Sequence, residues 1–179
     1  MKKNDLVNLS KISIILDSYD DIFSDFDPRH YSEKSFSDDF LKETKKVKSG
    51  KNSDNATLQL MMPEKLRDTK NEELIINRMH SHFKKHYYLL KNDIKKMRLK
   101  GLLWLLIGFS ISSGAAYISL ININKIYFYH FIKVMLEPAG WFLCWNGLDQ
   151  LLFGPSRKQS DLDFLDFMSS CEITFISYK

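Results

Sequence analysis

A chain of 179 residues with 27% charged side chains and a formal net charge of +4 has room for one soluble domain of ordinary size. Its two cysteines, Cys144 and Cys171, have neither metal nor redox spacing, which excludes a zinc ribbon or a disulfide framework and leaves both as reduced, structural side chains. The slightly negative mean hydropathy averages a very polar first part with a very apolar later stretch, so local composition decides the class.

In chain order, Lys2 and Lys3 are followed by no apolar run of signal-peptide length, and no secretion signal is expected. Ile12, Ile14 and Leu16 alternate within a β-branched run and predict a strand over 12–17. Asp17, Asp20, Asp21, Asp25 and Asp27 come next, and Pro28 disfavours helix at Asp27. An irregular loop is expected, its aspartates capping backbone amides or facing water. The glycine and glutamate of a calcium-binding EF-hand loop are missing from it. Arg29 in this loop is a candidate anion binder, set against the plainer role of pairing with nearby carboxylates.

Ser35 and Asp38 form a capping pattern, and Phe36, Phe40, Leu41 and Val47 predict a helix over 36–48. SGKNSDN at 49–55 reads as a loop, and alternation from Ala56 to Met62 reads as a second strand ended by Pro63. From Asn71, Ile75, Met79, Phe83, Leu90, Ile94 and Met97 recur at helical spacing without a break. One helix over 71–121 is therefore expected, residues 71–100 being a basic amphipathic stalk and 101–123 apolar. His80, His82 and His86 lie on it; with no HExxH pattern, third ligand or cysteine partner, a solvated or headgroup-facing helix surface is expected there instead of a metal site.

Gly101 to Ile123 contains no charged side chain and exceeds the 20 or so residues a helix needs to cross a bilayer. A second apolar run, Tyr127 to Phe153, follows after Asn124 and Lys125. Together they read as a membrane hairpin with an outer loop at 124–130 and a second span at 131–153. Lys84, Lys85, Lys91, Lys95, Lys96, Arg98 and Lys100 precede the first run, and Arg157 and Lys158 follow the second. That excess places both termini in the cytoplasm of a multi-pass inner-membrane protein. It also makes anionic lipid headgroups, not nucleic acid, the expected partner of the basic flank.

Glu137 lies inside the second run, where a charge costs about 2.5–3.5 kcal/mol at mid-bilayer. Asn146, Asp149 and Gln150 share a broad sector with it and suggest a polar seam facing a partner helix or an aqueous path. The competing reading has Glu137 capping a shorter helix that starts at Pro138. Trp141 and Trp145 share a face and are expected to anchor or pack. Ser110, Ser112, Ser113, Gly114, Ala115 and Ala116 form a small-residue run expected to let a second helix approach, with Gly101 and Gly108 as a weak extension. Gly154 and Pro155 are expected to stop the second helix, Ser160 and Asp163 to cap a short one, and Cys171 to Tyr178 to form a third strand. The three strands are expected to share one small sheet within 1–70 and 154–179, giving an α+β class with the two-helix hairpin inserted in it.

The stretches LDSYDDIFSDFDPRHYSEKSFSDDF and LEPAGWFLCWNGLDQLLF resemble uncharacterised bacterial proteins with two membrane helices. The resemblance implies that architecture over most of the chain and supplies no catalytic residue. With no phosphate loop, nucleophile elbow or cofactor motif, the leading expectation is a non-enzymatic membrane scaffold, sensor or assembly subunit. Self-association, or another membrane protein, would bury the polar seam. A second expectation is an oligomeric channel or transporter subunit with Glu137 and Asn146 lining the path. A third is a headgroup-acting enzyme using Asp25, Asp27 and Arg29.

Overall fold

The structure, a computed structural model, describes residues 11–49, 57–120 and 127–178. The expected loop at 124–125 and most of that at 49–55 lie outside them, as does the end of the first apolar run at 121–123. The described chain combines helices with a three-stranded sheet. Its elements are β1 (Lys11–Ile15), α1 (Asp38–Ser49), β2 (Thr57–Pro63), α2 (Thr69–Leu120), α3 (Tyr127–Leu148), a π-helical turn (Asp149–Phe153), α4 (Gly154–Ser170) and β3 (Ile173–Tyr178). They divide into two compact units, one of residues 1–87 with 163–179 and the other of residues 88–162.

In the first unit the sheet order is β1-β2-β3. Ile12 pairs with Leu58 and Ile14 with Leu60, while Leu58 pairs with Ile173 and Leu60 with Phe175. Both pairings are parallel, as expected of strands separated by helices, since a parallel pair needs a long crossover. The tail strand thus joins the sheet at β2, which alternates between buried and half-buried positions. The period-two pattern puts Ile12, Leu16, Leu58, Leu60, Met62, Ile173 and Phe175 on one face. Ile75, Met79 and Phe83 of α2, four residues apart, and Phe164, Phe167 and Met168 of α4 fill the core with that face.

Several local expectations are corrected. Helix α1 starts at Asp38, so Ser35 does not cap it; the Ser35 amide donates to Asp27 Oδ2 (2.8 Å) and its carbonyl accepts from Ser24. The acidic loop contains a 3-10 turn, Tyr19–Ile22, closed by a capping box in which Ser18 Oγ accepts from the Asp20 amide and Asp21 accepts from that of Ser18. Gly154 and Pro155 do not end the helical path. Proline lacks an N–H and its ring collides with the carbonyl four residues back, and the π turn just before it removes that conflict: the Gly154 amide donates to Asp149 O, five residues back. Ser160 therefore lies inside α4 and caps nothing.

Candidate functional site

In the second unit α2 and α3 meet backbone to backbone. An added Cβ at Gly101 would lie 2.8 Å from the Gly147 carbonyl, one at Gly108 2.7 Å from both the Gly140 carbonyl and the Cys144 amide, and one at Gly147 2.7 Å from the Leu105 amide. Contact partners descend along α3 as residue numbers rise along α2, so the pair is antiparallel. Gly101, Gly108 and Ala115 are buried at seven-residue intervals, and so are Gly140, Gly147 and Gly154. A seven-residue repeat keeps one narrow seam of each helix turned toward its partner, and small residues there let the backbones approach closely.

This double repeat is the feature that sequence reasoning missed. The Ser-rich run is mostly turned away from the seam: Ser110, Ser113 and Ala116 are exposed and Gly114 has nothing within 4 Å. Only Ala115 and Ser112 from that run reach the seam, Ser112 Oγ lying against the place where a Gly140 Cβ would stand. The usable signal was the period: glycine recurs at 101 and 108 and again at 140, 147 and 154.

With glycine inside, the large apolar side chains point outward. Leu103, Phe109, Leu120, Phe131, Trp141 and Phe142 are all exposed, Phe109 at 66% and Phe142 at 67%. Trp141 and Trp145 meet edge to face at 5.7 Å and both stay exposed, so they do not pack into the interior. Among the described residues one helix, Thr69–Leu120, is long and apolar enough to cross a membrane by length and composition. The second expected span, carrying Lys133 and Glu137, does not meet the same standard.

Glu137 lies within α3, which runs through Pro138 and begins at Tyr127; the capping alternative is therefore corrected. On the turn before Pro138, Lys133 Nζ sits 3.7 Å from Glu137 Oε1, an i,i+4 pair. Gln150 Nε2 donates to Asn146 Oδ1 at 3.1 Å, and Asp149 pairs with Arg157. Of the four seam candidates, the structure brings Asn146 and Gln150 into contact with each other and gives Glu137 and Asp149 separate cationic neighbours. The seven basic residues are exposed along α2, Lys84 and Lys85 in the first unit and Lys91, Lys95, Lys96, Arg98 and Lys100 in the second.

In the first unit Arg29 Nε and one terminal nitrogen donate to the two oxygens of Asp27 at 2.8 and 2.7 Å. The guanidinium, with the Ser35 amide, holds the Asp27 carboxyl well below the usual carboxylate range. The anion that Arg29 binds is thus its own neighbour. A second network, not anticipated from sequence, centres on Glu72, which is buried. Arg67 donates to both its oxygens at 2.7 and 2.9 Å, Tyr19 Oη donates to Oε1 at 3.2 Å, and Arg67 also reaches Ser177 Oγ on β3 at 2.8 Å. Burial pushes the Cys171 thiol up to about 11, which makes it a poor nucleophile. His80 Nδ1 lies 3.0 Å from the Ser169 carbonyl, while the rings of His82 and His86 are 4.3 Å apart.

The chain matches no family model, no curated protein and no solved structure.

Proposed function

We propose that the second unit is a membrane-embedded helical hairpin and the first a cytoplasmic domain, the whole acting as a non-enzymatic scaffold, sensor or assembly subunit of the inner membrane. The observation that carries this reading is the inverted packing of the α2–α3 pair, with glycine inside and Phe, Leu and Trp outside. In water, apolar side chains are driven to the interior of a fold. In lipid that drive is absent, and close backbone packing through small residues holds helices together. Lys91, Lys95, Lys96, Arg98 and Lys100 just ahead of the apolar stretch, and Arg157 and Lys158 after it, support cytoplasmic ends through the excess of positive charge. They also suit anionic headgroups.

The exposed flank of α2 at Ser110, Ser113 and Gly114 leaves room for a second copy or another membrane protein. The test is fractionation of cells expressing the full chain. The protein should stay in the membrane pellet after alkaline carbonate washing, and protease added to inside-out vesicles should cleave the termini. Release by carbonate would reject the reading.

A further inference from the structure

We propose that a groove within the first unit binds a phosphate group carried on an aromatic or alkyl body. The groove has a volume of about 650 Å³, within the range of small-molecule sites. One wall is a strip of α2 on which Arg78, His82 and His86 follow at four-residue steps, with Ser81 and Lys85 beside them. The other wall is apolar, formed by Phe36, Leu41, Phe83 and Phe164. His82 joins the two walls, its ring edge-on to Phe36 at 4.7 Å and beside His86 at 4.3 Å.

Two observations point to an anion. Among the described residues Arg78 Nε is buried with no hydrogen-bond partner, and a buried donor left unpaired is costly; the hydrogen bond that side chain does make there is a long 3.5 Å approach to the Glu33 carbonyl. Among the lining residues the cations Arg78 and Lys85, with His82 and His86 beside them, face a single carboxylate, Asp38. Burial, followed by the positive charge of His86, Arg78 and Lys85, pushes the His82 imidazole down to about 4, which leaves it a neutral N–H donor on that wall.

A carboxylate would satisfy the guanidinium alone. A phosphate has charge and oxygens enough for the guanidinium, the ammonium and an imidazole N–H together. The aromatic wall then takes the body that carries it. That group has two possible sources, a lipid headgroup or a soluble phosphate ester.

The test uses the purified full-length chain in neutral detergent, titrated calorimetrically with 1-naphthyl phosphate, 1-naphthol and inorganic phosphate. Naphthyl phosphate should saturate one site, and the two fragments should each bind at least about 10-fold more weakly. Arg78→Gln should weaken binding by about 10-fold or more and Arg78→Lys by less, because lysine keeps the charge but loses the fork. Lys85 and His86 are exposed, so Lys85→Gln and His86→Gln supply variants that fold if Arg78→Gln does not, and each should weaken binding about threefold. No saturable binding, equal binding of inorganic phosphate, or unchanged affinity in folded Arg78→Gln or in both exposed-site variants would overturn the proposal. Competition by phosphatidylcholine nanodiscs containing phosphatidate, absent with phosphatidylcholine alone, assigns the source to a lipid headgroup. A lack of competition with the site still occupied by naphthyl phosphate assigns it to a soluble ester.

Discussion

Glu72 is a carboxylate taken out of water and tied to three different parts of the first unit: Tyr19 in the acidic loop, Arg67 before α2 and, through Arg67, Ser177 on β3. Deleting one partner of a buried charge leaves the other unpaired, which costs far more than losing a neutral hydrogen bond. Arg67→Ala should therefore destabilise the unit by about 3 kcal/mol, and Tyr19→Phe by about 1 kcal/mol. Chemical denaturation followed by the circular dichroism of the sheet would rank the two, and equal losses would contradict the central role of the ion pair. His82 supplies a pH dependence. Its imidazole titrates at about 4 in the fold against 6.5 in the unfolded chain. Between those values the unfolded chain binds more protons, so stability falls as pH drops through that window. The melting temperature should be level above about pH 6.5 and decline toward pH 4, with a shallower decline in His82→Gln. The Asp27 contribution runs in the same direction but lower, being present above the unfolded value of 3.8 and lost as pH falls beneath it.

At the scale of elements, the α2–α3 seam makes a sharp contrast between glycines that look alike in sequence. Gly108→Ala would set a methyl against backbone atoms 2.7 Å away, whereas Gly114→Ala meets nothing within 4 Å. The first should cost about 1–3 kcal/mol of overpacking strain; the second should be neutral or gain a few tenths to about 1 kcal/mol of helix propensity. Thermal unfolding of the two variants in detergent is the comparison, and equal effects would mean the helices do not touch at these positions. The strands were legible in advance because period-two alternation at Ile12 to Leu16, Ala56 to Met62 and Ile173 to Phe175 is a local property of the chain. The central place of β2 was not, since all three strands present similar edges and nothing local sets their order. The expected stop at Gly154-Pro155 failed for a related reason: local rules register the missing proline amide, whereas the π turn that accommodates it spreads over the five preceding residues, Asp149–Phe153. The seam itself was readable as a seven-residue glycine period, but residue type alone favoured the serine run, whose side chains mostly face outward. Glu72 was hidden among the acids of a helix start, where an exposed carboxylate is the ordinary outcome.

For the whole molecule, two kinds of packing coexist in one chain. The first unit buries Phe, Ile, Leu and Met against a sheet, the arrangement water enforces. The second buries glycine and exposes Phe, Leu and Trp, the arrangement lipid permits. A charge on the outer face of the second unit separates the two environments: Phe109→Lys should impair membrane integration by about 2.5–3.5 kcal/mol if that face meets the bilayer centre, and should be harmless if it meets water. All three tryptophans of the chain, Trp104, Trp141 and Trp145, lie in the second unit and are exposed, so the native protein carries its own depth probe. The most direct measurement is their fluorescence after reconstitution into bilayers with brominated acyl chains, alongside titration with acrylamide in water. Membrane embedding requires strong quenching by the brominated lipid and little by acrylamide; strong acrylamide quenching with no effect of the brominated chains would contradict it.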